Sequence, residues 1–233
     1  MKFLLTNDDG YFSEGIAALK AAASQLGECT IVAPDRVYSG CGHRINDKEF
    51  IPVSNGQAGV YVVSGTPADC SRLGLVKLAP DVDWVLAGIN HGANLAGDIY
   101  MSGTAAAARE AALTGKPAIA FSQYFLLSKY PQDWDRTARW TVRLLKVLTA
   151  EKLEAGEFWN VNFPALPAEA KDPEIVFCRH DSCQMDLKFD WTPAGAMYKG
   201  VYQNRGRRPG YDIDVCFSGK IAVTRIGFDM SVV

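Results

Sequence analysis

Asn7-Asp8-Asp9-Gly10 sets two adjacent carboxylates beside a glycine. Successive side chains of a strand point to opposite faces, so Asp8 and Asp9 converge only where the chain turns, and Gly10 allows that turn. Two converging carboxylates suit a hard cation such as Mg²⁺ or Mn²⁺. The same residues also read as an ordinary turn with one Asp capping the next helix. Ser39-Gly40, shortly after Ala33-Pro34-Asp35-Arg36, offers a hydroxyl for a metal or a phosphate, or simply a turn residue. Gly88-Ile89-Asn90-His91-Gly92-Ala93-Asn94 offers an amide oxygen between glycines that let backbone approach a ligand, or an Asn- and Gly-rich loop. Ser102-Gly103-Thr104 opens an alanine-rich stretch. A helix N-terminus there favours an anion, although a serine cap needs no ligand.

The elements that must position these residues follow from apolar periodicity. Strands are predicted over 2–6, 29–33, 59–63, 84–87, 118–122 and 159–163, and helices over 14–26, 68–78, 104–114 and 135–149. This alternation predicts an α/β fold with a mostly parallel sheet and helices on both faces. Ligands bind such sheets beyond the carboxyl ends of the strands, where all four clusters fall. Two carboxylates, a hydroxyl, an amide oxygen and an anion-binding helix start make a phosphoester-hydrolysis site, with the cation polarising a phosphoryl oxygen. From about residue 171 the texture changes. Strands over 174–179 and 220–225 flank a Gly-, Pro- and Arg-containing stretch, 191–210, that reads as an extended hairpin or arm. The expected organisation is a single domain with a catalytic core over 1–170 and an arm plus last strand over 171–233.

Composition narrows the partners. A net charge of −2 gives no electrostatic case for a nucleic acid polymer or an anionic membrane. No apolar run resembles a signal peptide or approaches the ~20 residues that cross a bilayer. The six cysteines form no C-x-x-C pair and no zinc-like spacing with the three histidines, which favours reduced thiols in a cytoplasmic protein. His91 and His180 read as surface or loop residues, and Arg205, Arg207 and Arg208 as a solvated loop, with a substrate-contacting lid as the minority reading.

The motifs together resemble those of the SurE family of stationary-phase survival nucleotidases. The matching stretches are Thr6-Asn7-Asp8-Asp9-Gly10, Val32-Ala33-Pro34-Asp35 with Ser39-Gly40, Gly65-Thr66-Pro67-Ala68-Asp69-Cys70, Gly88 to Asn94, Ser102-Gly103-Thr104 and Asn160-Val161-Asn162-Phe163-Pro164. The resemblance implies a Rossmann-like core with a C-terminal β-hairpin arm, and one divalent metal per subunit, Mg²⁺ or Mn²⁺, held by Asp8, Asp9, Ser39 and Asn90. It implies a catalytic set of Asp8, Asp9 and Asn90. Asn94, Ser102, Gly103 and Thr104 are expected around the phosphate, together with Ser39, and Asn7 is expected to support the site. The implied activity is hydrolysis of nucleoside 5′- and 3′-monophosphates, sometimes with short polyphosphate, by a homodimer or homotetramer assembled through the arm.

The chain departs from the family pattern at Ser13-Glu14, Cys41, Ala87, Met101 and the Asp212-Ile213-Asp214 stretch. These bear on substrate preference and assembly and leave the four ligand positions intact. Alternative readings are a non-catalytic nucleotide- or metal-binding protein and a phosphatase for another small ester. A haloacid-dehalogenase-type phosphatase is disfavoured, because Asp8-Asp9 lacks an Asp-x-Asp spacing.

Overall fold

Lys2–Thr6 forms β1, and its apolar side chains divide between the two faces of a sheet: Phe3 and Leu5 join one core cluster, Leu4 the other, all fully buried. A strand buried on both faces is the mark of a parallel sheet covered on each side by helices. The computed structural model describes residues 1–126, 128–184, 187–229 and 231.

After β1 come α1 (Glu14–Ala23), β2 (Glu28–Pro34), β3 (Val53–Asn55), β4 (Val60–Val63), α2 (Pro67–Leu73) and β5 (Trp84–His91). These are followed by α3 (Gly103–Leu113), β6 (Ala118–Gln123), α4 (Trp134–Leu148), β7 (Glu157–Phe163) and β8 (Ile175–Phe177). The chain ends with β9 (Phe189–Thr192), β10 (Gly195–Tyr198), α5 (Asp212–Phe217) and β11 (Ile221–Gly227). Nine strands form one sheet in the order β3-β4-β2-β1-β5-β6-β7-β11-β8. Its centre is parallel, and β3 and β11 each run antiparallel to a neighbour. The fold class read from the sequence therefore holds.

Helices α1 and α4 cover one face, with Ile16, Leu19, Trp140, Leu144 and Leu145 packed on Phe3, Leu5 and Phe121. Helices α2 and α3 cover the other, where Ala105, Ala107, Ala108 and Ala111 meet Leu4, Val85 and Ala120. Every alanine of that α3 face is fully buried, so the helix lies close to the sheet. Ser13 caps α1 by accepting the Ile16 N–H, and Thr66 and Asp69 form a reciprocal capping box on α2.

Several elements differ from expectation. Strand β5 runs on to His91, so Asn90 sits inside the strand rather than after it, past a register shift between Ala87 and Asn90. The stretch expected as one helix over 68–78 ends as α2 at Leu73 and continues as a wider π turn, Gly74–Leu78. Strand β3 and helix α5 are too short to show a periodicity. Strands β8 and β11 lie side by side in parallel within the main sheet, and the hairpin is β9–β10 between them.

Candidate active site

The strand order reverses between β1 and β5, because the chain builds β2 and β4 on one side of β1 before crossing to β5 on the other. A crevice at the carboxyl ends of two such strands is where open α/β sheets bind ligands. Asp8 and Asp9 follow β1, and Asn90 is the next-to-last residue of β5.

The Asn7–Gly10 turn is built by its own side chains. Asn7 is fully buried and its Nδ2 donates to the Gly10 carbonyl at 2.9 Å and to Ser13 Oγ at 2.8 Å, so it supports the turn. Gly10 has φ +92°, a left-handed conformation that favours glycine. The result turns Asp8 inward and leaves Asp9 half-buried.

Asp8 is 4% exposed. Burial pushes its carboxyl up to about 6; the hydrogen bond from Thr104 opposes this and the charge of Asp9 adds to it. Thr104 Oγ1 donates to Asp8 Oδ1 at 2.6 Å, and the Asp8 carbonyl accepts the N–H of Tyr38, the neighbour of Ser39. Gly103 sits so close that a methyl there would lie 2.8 Å from Asp8 Cβ and 3.0 Å from Cys41 Sγ. Asp9 Oδ2 accepts the N–H of His91 at 3.0 Å, which draws the end of β5 to the Asp-Asp turn. Four chain segments, carrying Asp8-Asp9, Ser39, Asn90 and Ser102-Gly103-Thr104, are thus tied together at one sheet edge.

Donor chemistry here fits a hard divalent cation. Neither Asp8 nor Asp9 forms an ion pair among the described residues, so two neighbouring carboxylates, one buried, have no protein cation to offset them. Asn90 Nδ2 donates to the Gly92 carbonyl at 2.7 Å, which leaves its Oδ1 as a free acceptor. Ser39 is exposed, and its hydroxyl makes no hydrogen bond among the described residues. Two carboxylates, an amide oxygen and a hydroxyl are an oxygen-only set suited to Mg²⁺ or Mn²⁺.

Around this centre, Ser102 caps α3: its Oγ accepts the Ala105 N–H at 3.0 Å, leaving the hydroxyl proton free to donate to an anion. Asn94 is held by a cradle whose role the sequence did not disclose. Asn162 Oδ1 accepts the Asn94 N–H at 2.8 Å, and the side chains of Asn160 and Asn162 each donate to the Asn94 carbonyl at 3.0 Å. The Asn94 side chain donates to Ser122 Oγ. Two asparagines at alternate positions of β7 share a face, and that spacing is the signal that could have revealed the cradle.

The departures noted in the sequence fall into place around the site. Ser13 both caps α1 and accepts from Asn7, and Glu14 accepts the indole N–H of Trp134 at 3.0 Å. His43 lies 2.8 Å from Glu110 of α3 and Gly42 N–H donates to the Met101 carbonyl, which fastens the Ser39-bearing loop to the α3 side. His91 is exposed and stacks on Phe125, as expected of a surface residue. The arginine cluster is solvated only in part: Arg207 is exposed and lies over the Phe217 ring, and Arg208 pairs with Asp181 at the surface, but Arg205 is withdrawn from water against Asp98. The acidic partners of Arg205 and Arg208 lie 107 and 27 positions away, which the local sequence could not show.

Known proteins resemble this chain along nearly its whole length. A protein of Synechocystis sp. is 43% identical over 226 residues, covering 97% of this chain and 99% of its own. The 5′-nucleotidase SurE of Pseudoalteromonas atlantica is 35% identical over 236 residues, covering 99% and 94%. The crystal structure of the SurE protein from Aquifex aeolicus superposes with a TM-score of 0.85 at 33% identity, covering 99% of this chain and 95% of that one. The family model described as survival protein SurE matches residues 3–185, and the chain belongs to the SurE family.

Proposed function

We propose that this chain is a divalent-metal-dependent phosphatase that hydrolyses nucleoside 5′- and 3′-monophosphates to nucleoside and phosphate. Nucleotidase activity is supported by relatives that carry the name 5′-nucleotidase SurE. The observation that carries the reading is the meeting of the buried Asp8 carboxylate with the N-terminus of α3 through Thr104 and Gly103.

Asp8, Asp9, Ser39 and Asn90 would hold the cation, which when bound supplies Lewis-acid polarisation of a phosphoryl oxygen. The remaining work belongs to the chain. The free N–H groups at the start of α3 and the Ser102 hydroxyl point donors at the phosphoryl oxygens, in a geometry fixed before substrate arrives. Thr104 holds the Asp8 carboxyl in one orientation. In the metal-free chain burial pushes the Asp8 carboxyl up to about 6, so it would give up its proton as the cation binds. The cradle of Asn160 and Asn162 fixes Asn94 at the edge of the phosphate pocket. No covalent phosphoenzyme is expected.

The β9–β10 hairpin exposes Phe189, Trp191, Met197 and Tyr198, with Trp191 78% exposed. Such an apolar surface supports assembly into a homodimer or homotetramer through the arm. Light scattering on Trp191→Lys tests it, and an unchanged mass would sink the arm as the interface. All six cysteines are free, which supports the cytoplasm as location. No helix among the described residues is long and apolar enough to cross a membrane.

The decisive experiment measures phosphate release from a panel of 5′- and 3′-mononucleotides with EDTA, Mg²⁺ or Mn²⁺, alongside Asp8→Asn. Release that needs metal and collapses in the variant is expected. Metal and nucleotide binding without turnover would instead support a binding protein.

A further inference from the structure

Asp98 lies in the single turn Ala96–Tyr100 that leads into α3. Its carbonyl accepts the N–H groups of Met101 and Ser102, each at 3.0 Å, so it sets the backbone of the residue that caps α3. Its carboxylate faces the other way. Asp98 Oδ2 accepts from Leu95 N–H at 3.1 Å, from the Tyr202 hydroxyl at 2.6 Å and from Arg205 Nη1 at 2.6 Å. Arg205 also reaches the Leu95 carbonyl and lies 4.7 Å from the centre of the Tyr202 ring. The paired side chains are only 11% and 14% exposed. A charge pair this far from water is costly to break on one side, because the remaining charge stays desolvated.

Tyr202 and Arg205 follow directly on the β9–β10 hairpin, while Leu95 and Asp98 lie between Asn94 and Ser102. We propose that Arg205, with Tyr202, is a positioning residue for the phosphate pocket: it fixes Asp98, and through Asp98 the Ser102 end of α3, so that the hairpin arm and the anion-binding helix start move as one body. This rests on the reading of Ser102-Gly103-Thr104 as the phosphate-binding element. The arm thereby serves the site as well as any assembly surface, and a subunit docking on the hairpin would act on the pocket through two side chains.

The test compares Arg205→Ala, Arg205→Lys, Tyr202→Phe and Arg207→Ala with the unaltered protein. Calorimetry measures binding of orthophosphate and, separately, of Mn²⁺, and steady-state kinetics on a mononucleotide separate KM from kcat. Arg205→Ala is expected to weaken orthophosphate binding and raise KM together by roughly 10- to 100-fold, the scale of a small misplacement of a binding group. Affinity for Mn²⁺ stays within about twofold, since the carboxylate turn is built elsewhere. Arg205→Lys, which keeps a charge on Asp98, recovers most of the loss. Tyr202→Phe, which keeps the ring, loses a smaller part, and it carries the test should Arg205→Ala not fold. Arg207→Ala, whose guanidinium lies over the Phe217 ring and away from Asp98, changes neither quantity. Unchanged orthophosphate binding in Arg205→Ala, or an equal loss in Arg207→Ala, would overturn the proposal. An unaltered protein that binds orthophosphate yet hydrolyses no nucleotide would sink the nucleotidase reading instead, and the binding comparison would still decide the coupling.

Discussion

Thr104 and Asp8 stand 96 positions apart in the chain and share a 2.6 Å hydrogen bond at the carboxyl end of the sheet. The hydroxyl donates to the carboxylate, so it favours the ionised form and works against burial, which pushes the carboxyl up to about 6.

Thr104→Val removes the donor and keeps the branched shape. In the metal-free protein the carboxyl should then ionise at a higher pH, so the pH at which Mn²⁺ binding sets in should move upward. Loss of a hydrogen bond to a charged group corresponds to roughly 10- to 100-fold in Mn²⁺ affinity near pH 6.5. A binding profile superposable on that of the parent would show that Asp8 does not control metal uptake.

Asp8 should also weaken the metal-free fold. Its folded value lies above the unfolded 3.8, so the folded state holds its proton more tightly. The stability it contributes is fully present below about pH 4 and is lost as pH rises through about 6. Asp8→Asn should therefore leave urea melts in EDTA little changed at pH 4. At pH 8 it should stabilise by up to about 3 kcal/mol. Mn²⁺ at pH 8 should raise the melting temperature of the parent and not of the variant. Equal melts in EDTA at both pH values would contradict the burial account of this carboxylate.

Gly103→Ala puts a methyl 2.8 Å from Asp8 Cβ and 3.0 Å from Cys41 Sγ. Either the carboxylate or the helix start must give way, and a fall in kcat/KM of about 100-fold is expected. A circular dichroism melt distinguishes this local displacement from unfolding, and near-parent activity would mean that the loop bearing Cys41 absorbs the methyl.

Asn162→Ala deprives both the N–H and the carbonyl of Asn94 of a partner, whereas Asn160→Ala removes only one of two donors to the carbonyl. Unfolding by urea should show a loss of about 2–3 kcal/mol for the first and less for the second, with KM for nucleotide rising in the same order. Equal losses from the two would mean that the cradle does not act through the Asn94 N–H.

Much of this was legible in the chain. The apolar strands and the helices with long amphipathic spacing were found because burial on one or both faces imposes a pattern that survives any detail of packing. The site residues stood out because they gather near strand ends or open a helix, and the sheet brings such positions to one edge, although Asn90 proved to lie within β5. Bonds between segments far apart in sequence were not legible. Asp98 with Arg205, Asp8 with Thr104 and Asn94 with Asn162 join residues 107, 96 and 68 positions apart. A local spacing can mark one side of such a pair, as at Asn160 and Asn162, but it does not name the partner. Strand β3 has three residues, all exposed, and α5 has six residues in all, too few for either period to register.

The alanine face of α3 has a consequence for how the anion-binding end behaves. Ala105, Ala107, Ala108 and Ala111 have no rotamers, so the helix side of that layer has no torsional freedom to lose on folding or on binding. A phosphate arriving at the start of α3 therefore finds no side-chain order left to create on the buried alanine face behind it.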